Sequence, residues 1–390
     1  MKFNHILFVE TQLIASLQQI NPKKPMKKTL LFIASTLIFI SCQTSKPLSI
    51  SYDSFTKPAE NPIVKADSSY TFLCPMKNEN IRWQRADVFN PAAIVKDGKV
   101  MLLYRCEDNP AAHLGGRTSR IGLAESTDGI HFTKYPTPVL FPSKDNFAQY
   151  DAPGGCEDPR VVVTEDGTYI MAYTSWNYDT PRLSIAFSKD LKTWDKKGPA
   201  FAAAYNGKFK NMASKSGSIL TKRVDKNYVA AKINGKYWMY WGELGVNLAW
   251  SENLYDWYPE LNSAGNLNYI IEPRKGKFDS NLTECGPPAL ITNEGIVLLY
   301  NGKNSDLAEN ASIDLPQGTY SVGRVVFNTA DLKTVLNRSE TPFLRPSLPH
   351  EIKGQYKAGT TFSEGLVHFK GKWFLYYGTA DSFVGVAVAE

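Results

Sequence analysis

A module of short strands and tight turns recurs five times along the chain, and this repeat restricts the fold more than any other feature. Each copy contains an apolar strand, a two-residue turn that ends in glycine, an aromatic-rich strand and a further apolar strand. The turns are Asp97-Gly98, Asp166-Gly167, Asn234-Gly235, Glu294-Gly295 and Lys370-Gly371. An X-Gly pair between two apolar strands is typical of a β-hairpin, because glycine adopts positive φ without steric cost.

The copies follow one another at intervals of roughly 60–80 residues, which predicts an all-β, five-bladed β-propeller over residues 62–390. In the third copy, the first strand is predicted at residues 228–233. Two β-sandwiches in tandem are the alternative, but they would not explain one module repeated across most of the chain. The inner strands of a propeller converge on a central channel, so polar residues that are distant in sequence can meet there.

The N-terminal region has the features of an export signal. Two lysines precede a short apolar run that stops at Cys42, and residues 26–42 are therefore predicted to be a lipoprotein signal peptide. A small residue before Cys42 resembles a bacterial lipobox, which predicts lipidation of its thiol and a location on the cell envelope, facing the periplasm or the cell surface. An ordinary membrane anchor is the alternative. Residues 1–25 are interpreted as an extension from a misassigned start, and the polar segment 43–61 as a tether.

Composition and cysteine spacing exclude several classes of function. The net charge of +6 is modest and the basic residues are scattered, so nucleic-acid binding is not expected. Four further cysteines have irregular spacing without a disulfide framework or a zinc signature, and buried thiols are expected. No Asp-rich loop of the kind that binds calcium is present, so no metal or other cofactor is expected. These cysteines are Cys74, Cys106, Cys156 and Cys285.

The segment Asp151–Arg160 carries the strongest chemical signal. Two glycines and Pro159 restrict its backbone and place Glu157, Asp158 and Arg160 on a stiff loop at the entry to a strand. Rigidly placed carboxylates suit acid–base chemistry on a sugar. A turn in which an aspartate pairs with Arg160 and caps the strand is the alternative.

Polar residues occur at equivalent places in the other copies, at strand entries and at the ends of second strands. A cluster of carboxylates with a few arginines is suited to sugar hydroxyl groups. Five aromatic residues could stack against a sugar ring, although core packing is the simpler expectation for each one alone. The polar residues are Asn90, Arg105, Asp108, Glu243, Glu284 and Asp381, and the aromatic residues are Trp83, Trp176, Trp238, Trp241 and Tyr173.

Several motifs resemble glycoside hydrolase family 130, the five-bladed family of β-mannoside phosphorylases and β-1,2-mannosidases. The resemblance extends from about Arg82 to the C-terminus. The motifs are Asn90-Pro-Ala, Tyr104-Arg105, Gly155-Cys-Glu-Asp-Pro-Arg160, Tyr240-Trp-Gly-Glu243, Glu284-Cys-Gly-Pro-Pro288 and Tyr376-Tyr-Gly-Thr-Ala-Asp381.

This resemblance implies a role for each matching residue. Asp158 would be the catalytic acid and would reach the glycosidic oxygen through a hydroxyl group of the mannose ring. Three residues, Asn90, Arg105 and Asp381, would hold the mannose at the cleaved bond, and the nearby Arg160 and Asp108 would also bind the substrate. Members of the family invert the anomeric carbon, so the nucleophile must attack from the face opposite the acid.

The nature of that nucleophile separates hydrolysis from phosphorolysis. Phosphorylases of the family usually have Tyr-His-Gly where this chain has Asn301 between Tyr300 and Gly302. Carboxylates at Glu243 and Glu284 would repel phosphate by several kcal/mol at short range in a low-dielectric pocket. The same pair could orient and deprotonate water, and either glutamate or both could hold the proton.

The sequence therefore predicts an exo-acting, inverting β-mannosidase for manno-oligosaccharides, with β-1,2 linkages as the expected substrate. A β-mannoside phosphorylase that releases mannose 1-phosphate is the alternative, with Lys215, Ser216 and Ser218 as its phosphate site. A solvated loop position is the favoured interpretation of Lys215. Surface positions for both glutamates, and a non-enzymatic sugar-binding lipoprotein, are further alternatives.

Overall fold

The structure, a computed structural model, describes residues 50–113, 115–224 and 227–390. Cys42, the predicted signal peptide, the predicted extension 1–25 and residues 43–49 of the predicted tether lie outside these ranges. Within them, none of the helices has the length and apolar character needed to span a bilayer.

The fold consists of antiparallel sheets formed by strands that are consecutive in sequence. A hairpin of β1 (Phe72–Cys74) and β2 (Glu79–Ile81) precedes the first blade. Blade I contains β3 (Asp87–Lys96), β4 (Lys99–Glu107), β5 (Ser119–Ser126) and β6 (Thr133–Lys134). Blade II contains β7 (Gly155–Val163), β8 (Tyr169–Trp176), β9 (Arg182–Ser188) and β10 (Asp195–Pro199).

Blades III and IV have inner strands in two pieces. Blade III contains β11 (Gly217–Ile219), β14 (Lys232–Ile233), β15 (Lys236–Trp241), β16 (Asn247–Ser251) and β17 (Trp257–Pro259), with a hairpin of β12 (Thr221–Val224) and β13 (Asn227–Ala230) inserted after β11. Blade IV contains β18 (Leu282–Cys285), β19 (Leu290–Thr292), β20 (Gly295–Lys303), β21 (Tyr320–Phe327) and β22 (Val335–Arg338).

Blade V contains three strands of its own: β23 (Phe362–Phe369), β24 (Lys372–Thr379) and β25 (Phe383–Ala389). The helical segments of the described ranges are a 3-10 turn (Tyr52–Ser54), α1 (Ala148–Asp151) and α2 (Pro349–Ile352).

The N-terminal segment supplies the outer edge of blade V. Thr56 pairs with Val388, and Val64 pairs with Val384, both in antiparallel orientation. Just before this segment, Ile50 and Tyr52 are buried. These side chains are buried against blade V. The packed domain therefore starts before the predicted boundary at residue 62, and residues 50–61 do not form a free tether.

The predicted first strand of the third copy is also corrected. Residues 228–233 do not form one inner strand, because β13 leaves its own blade and pairs in parallel with β7 through Val229 and Val163. Its partner β12 pairs in parallel with β19 through Thr221 and Leu290. An apolar hairpin that joins neighbouring blades has the same local pattern as an inner strand, so only the long-range pairing distinguishes the two.

Five apolar clusters lie between neighbouring blades and close them into a ring. Each cluster joins side chains from two adjacent sheets, which is how a propeller buries both faces of every blade. Representative pairs are Val100 with Phe374, Leu103 with Val161, Ile170 with Met239, Tyr240 with Phe327, and Leu299 with Leu375. This arrangement confirms the predicted five-bladed β-propeller. The four cysteines of the described ranges are free and buried, as predicted.

Candidate active site

Bulges in the inner strands direct polar side chains towards the centre. The pairing register shifts between Phe89 and Pro91, between Glu157 and Arg160, and between Ser363 and Gly365. At the first two bulges, Asn90 and Asp158 adopt positive φ values of 48° and 49°. A β-bulge turns a side chain away from the regular alternation, and unfavourable backbone conformations of this kind concentrate at functional sites.

The bulged residues face a cavity of about 330 Å³. Five carboxyl groups line it, whereas only two cationic side chains of the described residues do so. The carboxyl groups belong to Glu157, Asp158, Glu243, Glu284 and Asp381, and the cations to Arg105 and Lys215. Blades I, II, III, IV and V therefore all contribute to one polar site, as the repeat predicts.

Asp158 lies in a cationic environment. Asn90 Nδ2 donates to Asp158 Oδ1 at 2.9 Å, and Arg105 Nη1 lies 3.2 Å from the same oxygen. Lys215 Nζ lies 3.8 Å from Asp158 Oδ2. Burial alone would raise the pKa of Asp158, but Arg105, Lys215 and Arg160 outweigh it and lower that pKa to about 2. The free cavity therefore holds Asp158 as a carboxylate.

Arg105 is held by two further carboxylates. Its Nη2 lies 2.8 Å from Glu107 Oε1 and 2.8 Å from Glu157 Oε1, and its Nε donates to Ser119 Oγ at 3.1 Å. All of these side chains are buried. Charge-assisted bonds of this kind fix the guanidinium group in one orientation, so Arg105 can meet a sugar without rearrangement.

Lys215 faces the cavity, so the favoured interpretation of a solvated loop lysine was wrong. Its pKa is raised, because the charges of Asp158, Glu284 and Glu243 outweigh the effect of burial. Backbone bonds place it beside both glutamates: Gly242 N donates to Lys215 O at 3.1 Å, and Cys285 N donates to Gly242 O at 3.2 Å.

Glu284 and Asp381 can hold protons near neutral pH. Burial, assisted by the charge of Glu243, raises the pKa of Glu284 to about 7, although Lys215 and Arg160 oppose the rise. Burial and the charge of Asp158 raise the pKa of Asp381 to about 7 against the effect of Arg105. Ser216 donates a short hydrogen bond to Glu284 and fixes the position of its carboxyl group.

Arg160 lies behind Asp158 rather than on the cavity wall. Its side chain donates to the carbonyl oxygens of Asp158 at 3.0 Å and Cys285 at 2.8 Å, and Nη1 lies 3.0 Å from Glu364 Oε1. Arg160 thus joins the strand that carries Asp158 to the strand that carries Glu284. The predicted direct contact of Arg160 with substrate is replaced by a positioning role, because its donors are directed at protein carbonyls.

Asp108 does not line the cavity either. Its carboxylate is 3.0 Å from Arg120 Nη1, and its carbonyl oxygen accepts from Arg85 Nε at 2.6 Å. Its side chain lines a neighbouring cavity instead. Arg105 is the last residue of β4 that lines the cavity, and Asp108 follows the end of that strand.

Among the predicted aromatic platforms, only Trp176 lines the cavity. Trp83, Trp241 and Tyr173 are buried in the apolar clusters, and Trp238 packs against one of them. Four other aromatic residues of the cavity wall were not predicted, because nothing in their local sequence pattern separates them from core residues. These are Phe89, Tyr320, Tyr356 and Phe362.

Glu364 was not predicted as a site residue either, although its place in the repeat indicates one. The inner-strand motifs Asn90-Pro91 and Asp158-Pro159 correspond to Glu364-Gly365, and all three lie at bulges. The carboxyl group of Glu364 is fully buried, and burial raises its pKa well above the usual range against the effect of Arg160.

Comparison with known proteins shows the family to which the chain belongs. The family model described as β-1,4-mannooligosaccharide phosphorylase, of glycoside hydrolase family 130, matches residues 55–390. The chain belongs to glycoside hydrolase family 130. The resemblance found in the sequence motifs is therefore confirmed, and the protein is an enzyme of this family of glycoside hydrolases and phosphorylases.

Relatives within family 130 include enzymes of both reaction types. A 1,2-β-oligomannan phosphorylase from Thermoanaerobacter sp. is 30% identical over 318 residues, which cover 80% of this chain and 93% of the relative. The crystal structure of a glycosyl hydrolase from Bacteroides ovatus is 48% identical with a TM-score of 0.84, covering 88% of this chain and 96% of that chain. A further structure is described as showing that the GH130 family of mannoside phosphorylases contains glycoside hydrolases that target β-1,2 mannosidic linkages in Candida mannan. It is 48% identical with a TM-score of 0.85, covering 88% of this chain and 96% of that chain.

Proposed function

We propose that this family 130 enzyme is an exo-acting, inverting β-mannosidase that hydrolyses β-1,2 linkages in manno-oligosaccharides. The observation that carries this proposal is the position of Glu243 and Glu284, which line the same cavity as Asp158. Two carboxyl groups beside the reacting centre can orient a water molecule and accept its proton. In this assignment Asp158 is the acid, and Glu243 and Glu284 together activate the water.

The charge of the cavity favours water over phosphate as the nucleophile. Five carboxyl groups and two cations line the cavity, and Lys215 is already surrounded by Asp158, Glu284 and Glu243. A phosphate dianion beside the carboxylates of Glu243 and of deprotonated Glu284 would meet a repulsion of several kcal/mol at short range in a site of low dielectric constant. A neutral water molecule meets no such barrier.

Asn301 gives independent support for hydrolysis over phosphorolysis. It occupies the place where phosphorylases of the family usually have histidine. Its Nδ2 donates to Ser363 O at 3.1 Å, and its Oδ1 accepts from Ser363 N at 2.8 Å. The amide is fully buried and joins blade IV to blade V. Its hydrogen bonds serve the contact between blades, and it adds no positive charge for phosphate.

The distribution of protons sets the conditions for catalysis. In the free cavity the pKa of Asp158 is lowered to about 2, whereas the pKa of Glu284 is raised to about 7. Proton transfer from Glu284 to Asp158 keeps the total charge constant and gives the productive arrangement, with an acid at Asp158 and a base at Glu284. Bound mannose excludes water and supplies a hydroxyl group between Asp158 and the glycosidic oxygen.

A β-mannoside phosphorylase is the second candidate, and Lys215 is the observation in its favour. Its ammonium group is 3.8 Å from Asp158 Oδ2 and faces the cavity. A phosphorylase needs such a cation to hold phosphate. The matched relative from Thermoanaerobacter sp. carries out phosphorolysis, as its name states.

Product analysis separates the two candidates. A panel of mannobioses with different linkages is incubated with the enzyme in the presence and absence of inorganic phosphate, and the sugar products are identified by NMR. We expect free mannose from the β-1,2 isomer under both conditions, released first as the α-anomer. Mannose 1-phosphate that forms only with phosphate would overturn the hydrolytic assignment in favour of phosphorolysis. Turnover of a different linkage would overturn the β-1,2 assignment alone.

We also propose that lipidation of Cys42 anchors the enzyme to the bacterial cell envelope. The proposal is supported by the apolar run and the small residue before Cys42. Labelling of cells with a fatty-acid analogue should mark the wild-type protein and leave Cys42→Ser unlabelled. Equal labelling of both proteins would rule out this thiol as the lipid attachment site.

A further inference from the structure

A second cavity, of about 510 Å³, adjoins the active-site cavity. The two share a wall: Gly115 and Trp176 face the first, and Gly116 and Tyr178 face the second. Trp176 Nε1 donates to Gly115 O at 3.0 Å, and Tyr178 OH donates to Gly116 O at 3.0 Å. A glycan bound in the first cavity therefore has a short path to the second.

The second cavity carries uncompensated positive charge. Lys77, Arg82 and Arg85 line it, and no carboxylate of the described residues lies within ion-pair distance of any of them. One acid of the wall, Asp108, is neutralised by Arg120 at 3.0 Å. A buried arginine of the wall, Arg117, is itself neutralised by Glu107 and Asp87 and adds no free charge. The wall therefore has three cations without an ion-pair partner and one exposed carboxylate, that of Glu79.

Arg85 is oriented for anion recognition. Its Nε donates to Asp108 O at 2.6 Å, and none of the described residues accepts a hydrogen bond from its terminal nitrogens. A guanidinium group fixed in this way presents a planar pair of donors, which matches the geometry of phosphate and carboxylate oxygens. Lys77 and Arg82 add two exposed charges on either side of β2.

The two cavities have opposite electrostatic character. The first has five carboxyl groups against two cations, and the second has three unpaired cations. An anionic group is repelled by the first cavity and attracted to the second, so a glycan with one charged end is oriented before it binds. Its neutral end enters the active site, and its charged end lies over the wall formed by Gly116 and Tyr178.

We propose that the second cavity binds a phosphate or carboxylate group on the part of the glycan that leaves after cleavage. This inference rests on the proposed cleavage of mannosides in the adjoining cavity, and it adds a substrate class, namely mannosides with an anionic substituent. Each exposed cation contributes a modest, salt-dependent amount, so the preference is expected to be about tenfold at low ionic strength.

Three matched trisaccharides test this proposal. Each is a β-1,2-linked trisaccharide. The first is the methyl glycoside of mannotriose, the second is mannotriose with a methyl phosphodiester at the reducing end, and in the third a methyl glucuronide replaces the reducing-end mannose. We expect kcat/KM to be about tenfold higher for the better anionic substrate than for the neutral one in 20 mM NaCl, and about equal in 0.5 M NaCl. The two anionic substrates show whether phosphate or carboxylate is preferred. Equal kcat/KM values for all three at low salt would overturn the proposal.

A double variant tests whether the preference for anionic substrates arises in the second cavity. In Lys77→Gln/Arg82→Gln we expect the anionic-to-neutral ratio to fall below about threefold, whereas Lys210→Gln/Lys275→Gln, which removes the same charge from other exposed positions, should keep it. A ratio that survives in the first variant would contradict the proposed site.

Binding measurements separate this inference from the proposed function. Calorimetric titration of Asp158→Asn with the same trisaccharides reports the anionic preference without any cleavage. Tighter binding of the anionic trisaccharide, together with a wild-type enzyme that cleaves none of them, would support the charged cavity and refute the mannosidase. Cleavage of the neutral trisaccharide without any anionic preference in binding would refute the charged cavity alone.

Discussion

The substitution Glu284→Gln should remove activity and increase stability at the same time. Glu284 is buried, and its pKa is raised from 4.5 to about 7, chiefly by desolvation. The folded protein therefore holds this proton more tightly than the unfolded chain does. Between pH 4.5 and about 7 the stability contribution of Glu284 declines as pH rises, and above about pH 7 its full cost is present.

The size of this cost follows from the same shift. The difference between 4.5 and about 7 corresponds to about 3 kcal/mol of destabilisation at pH 8. Glutamine has nearly the same shape and does not ionise, so it removes that cost. For a domain of about 340 residues, an unfolding entropy of ~2.1 cal/mol/K per residue makes this a rise of about 4 °C in Tm.

The assay compares Tm at pH 5 and pH 8 for the wild type, Glu284→Gln and the control Glu252→Gln, whose side chain is exposed. We expect Glu284→Gln to raise Tm by about 4 °C at pH 8 and to change Tm little at pH 5. The control substitution should not change Tm at either pH. The same variant should lose about 10²-fold or more in kcat, as expected for a missing general base. Sodium azide, which can replace the activated water, should restore turnover and yield the α-mannosyl azide.

Two results would refute this reasoning. A Glu284→Gln variant that is less stable than the wild type at pH 8 would show that the carboxylate is well compensated in the folded state. A variant that keeps more than about a tenth of the wild-type kcat would exclude Glu284 as the base. If Glu243→Gln alone were rescued by azide, the base would be Glu243.

Four further substitutions test the remaining parts of the site. Asp158→Asn should abolish turnover with an unchanged circular dichroism spectrum, and retention of more than a few per cent of activity would contradict its role as the acid. Lys215→Met should move the alkaline limb of the kcat/KM profile, measured from about pH 5 to 9, to higher pH, because Lys215 lowers the pKa of Glu284; an unmoved limb would count against that coupling. Arg160→Lys should lower kcat by about tenfold or more with a smaller change in KM, because lysine cannot hold the carbonyls of both strands; an effect on KM alone would restore its predicted contact with substrate. Gly378→Ala should lower both Tm and kcat/KM, since the added Cβ would lie 2.0 Å from Asn90 Oδ1; normal values would show that this bulge can move.

The repeat of hairpin signals determined the architecture, because each X-Gly turn specifies its own hairpin through local backbone preferences. Five such units cannot bury both faces of their strands alone, so they must stack, and a closed ring is the result. The sequence likewise predicted that Asn90, Asp158 and Asp381 share one site, since polar residues at equivalent positions of a repeat face the same axis.

The tertiary structure decided which of those residues reach the cavity. Lys215 looks like a loop lysine in sequence, and only the backbone bonds through Gly242 bring it beside Glu284. Asp108 lies three residues after Arg105, which lines the first cavity, yet it lines the second cavity, because it follows the end of β4. Arg160 and Glu364 meet although more than two hundred residues separate them, and their contact depends on how blade V closes against blade II. Turn propensities act over a few residues, whereas these distances are set by packing between blades, and a single sequence carries no local record of that packing.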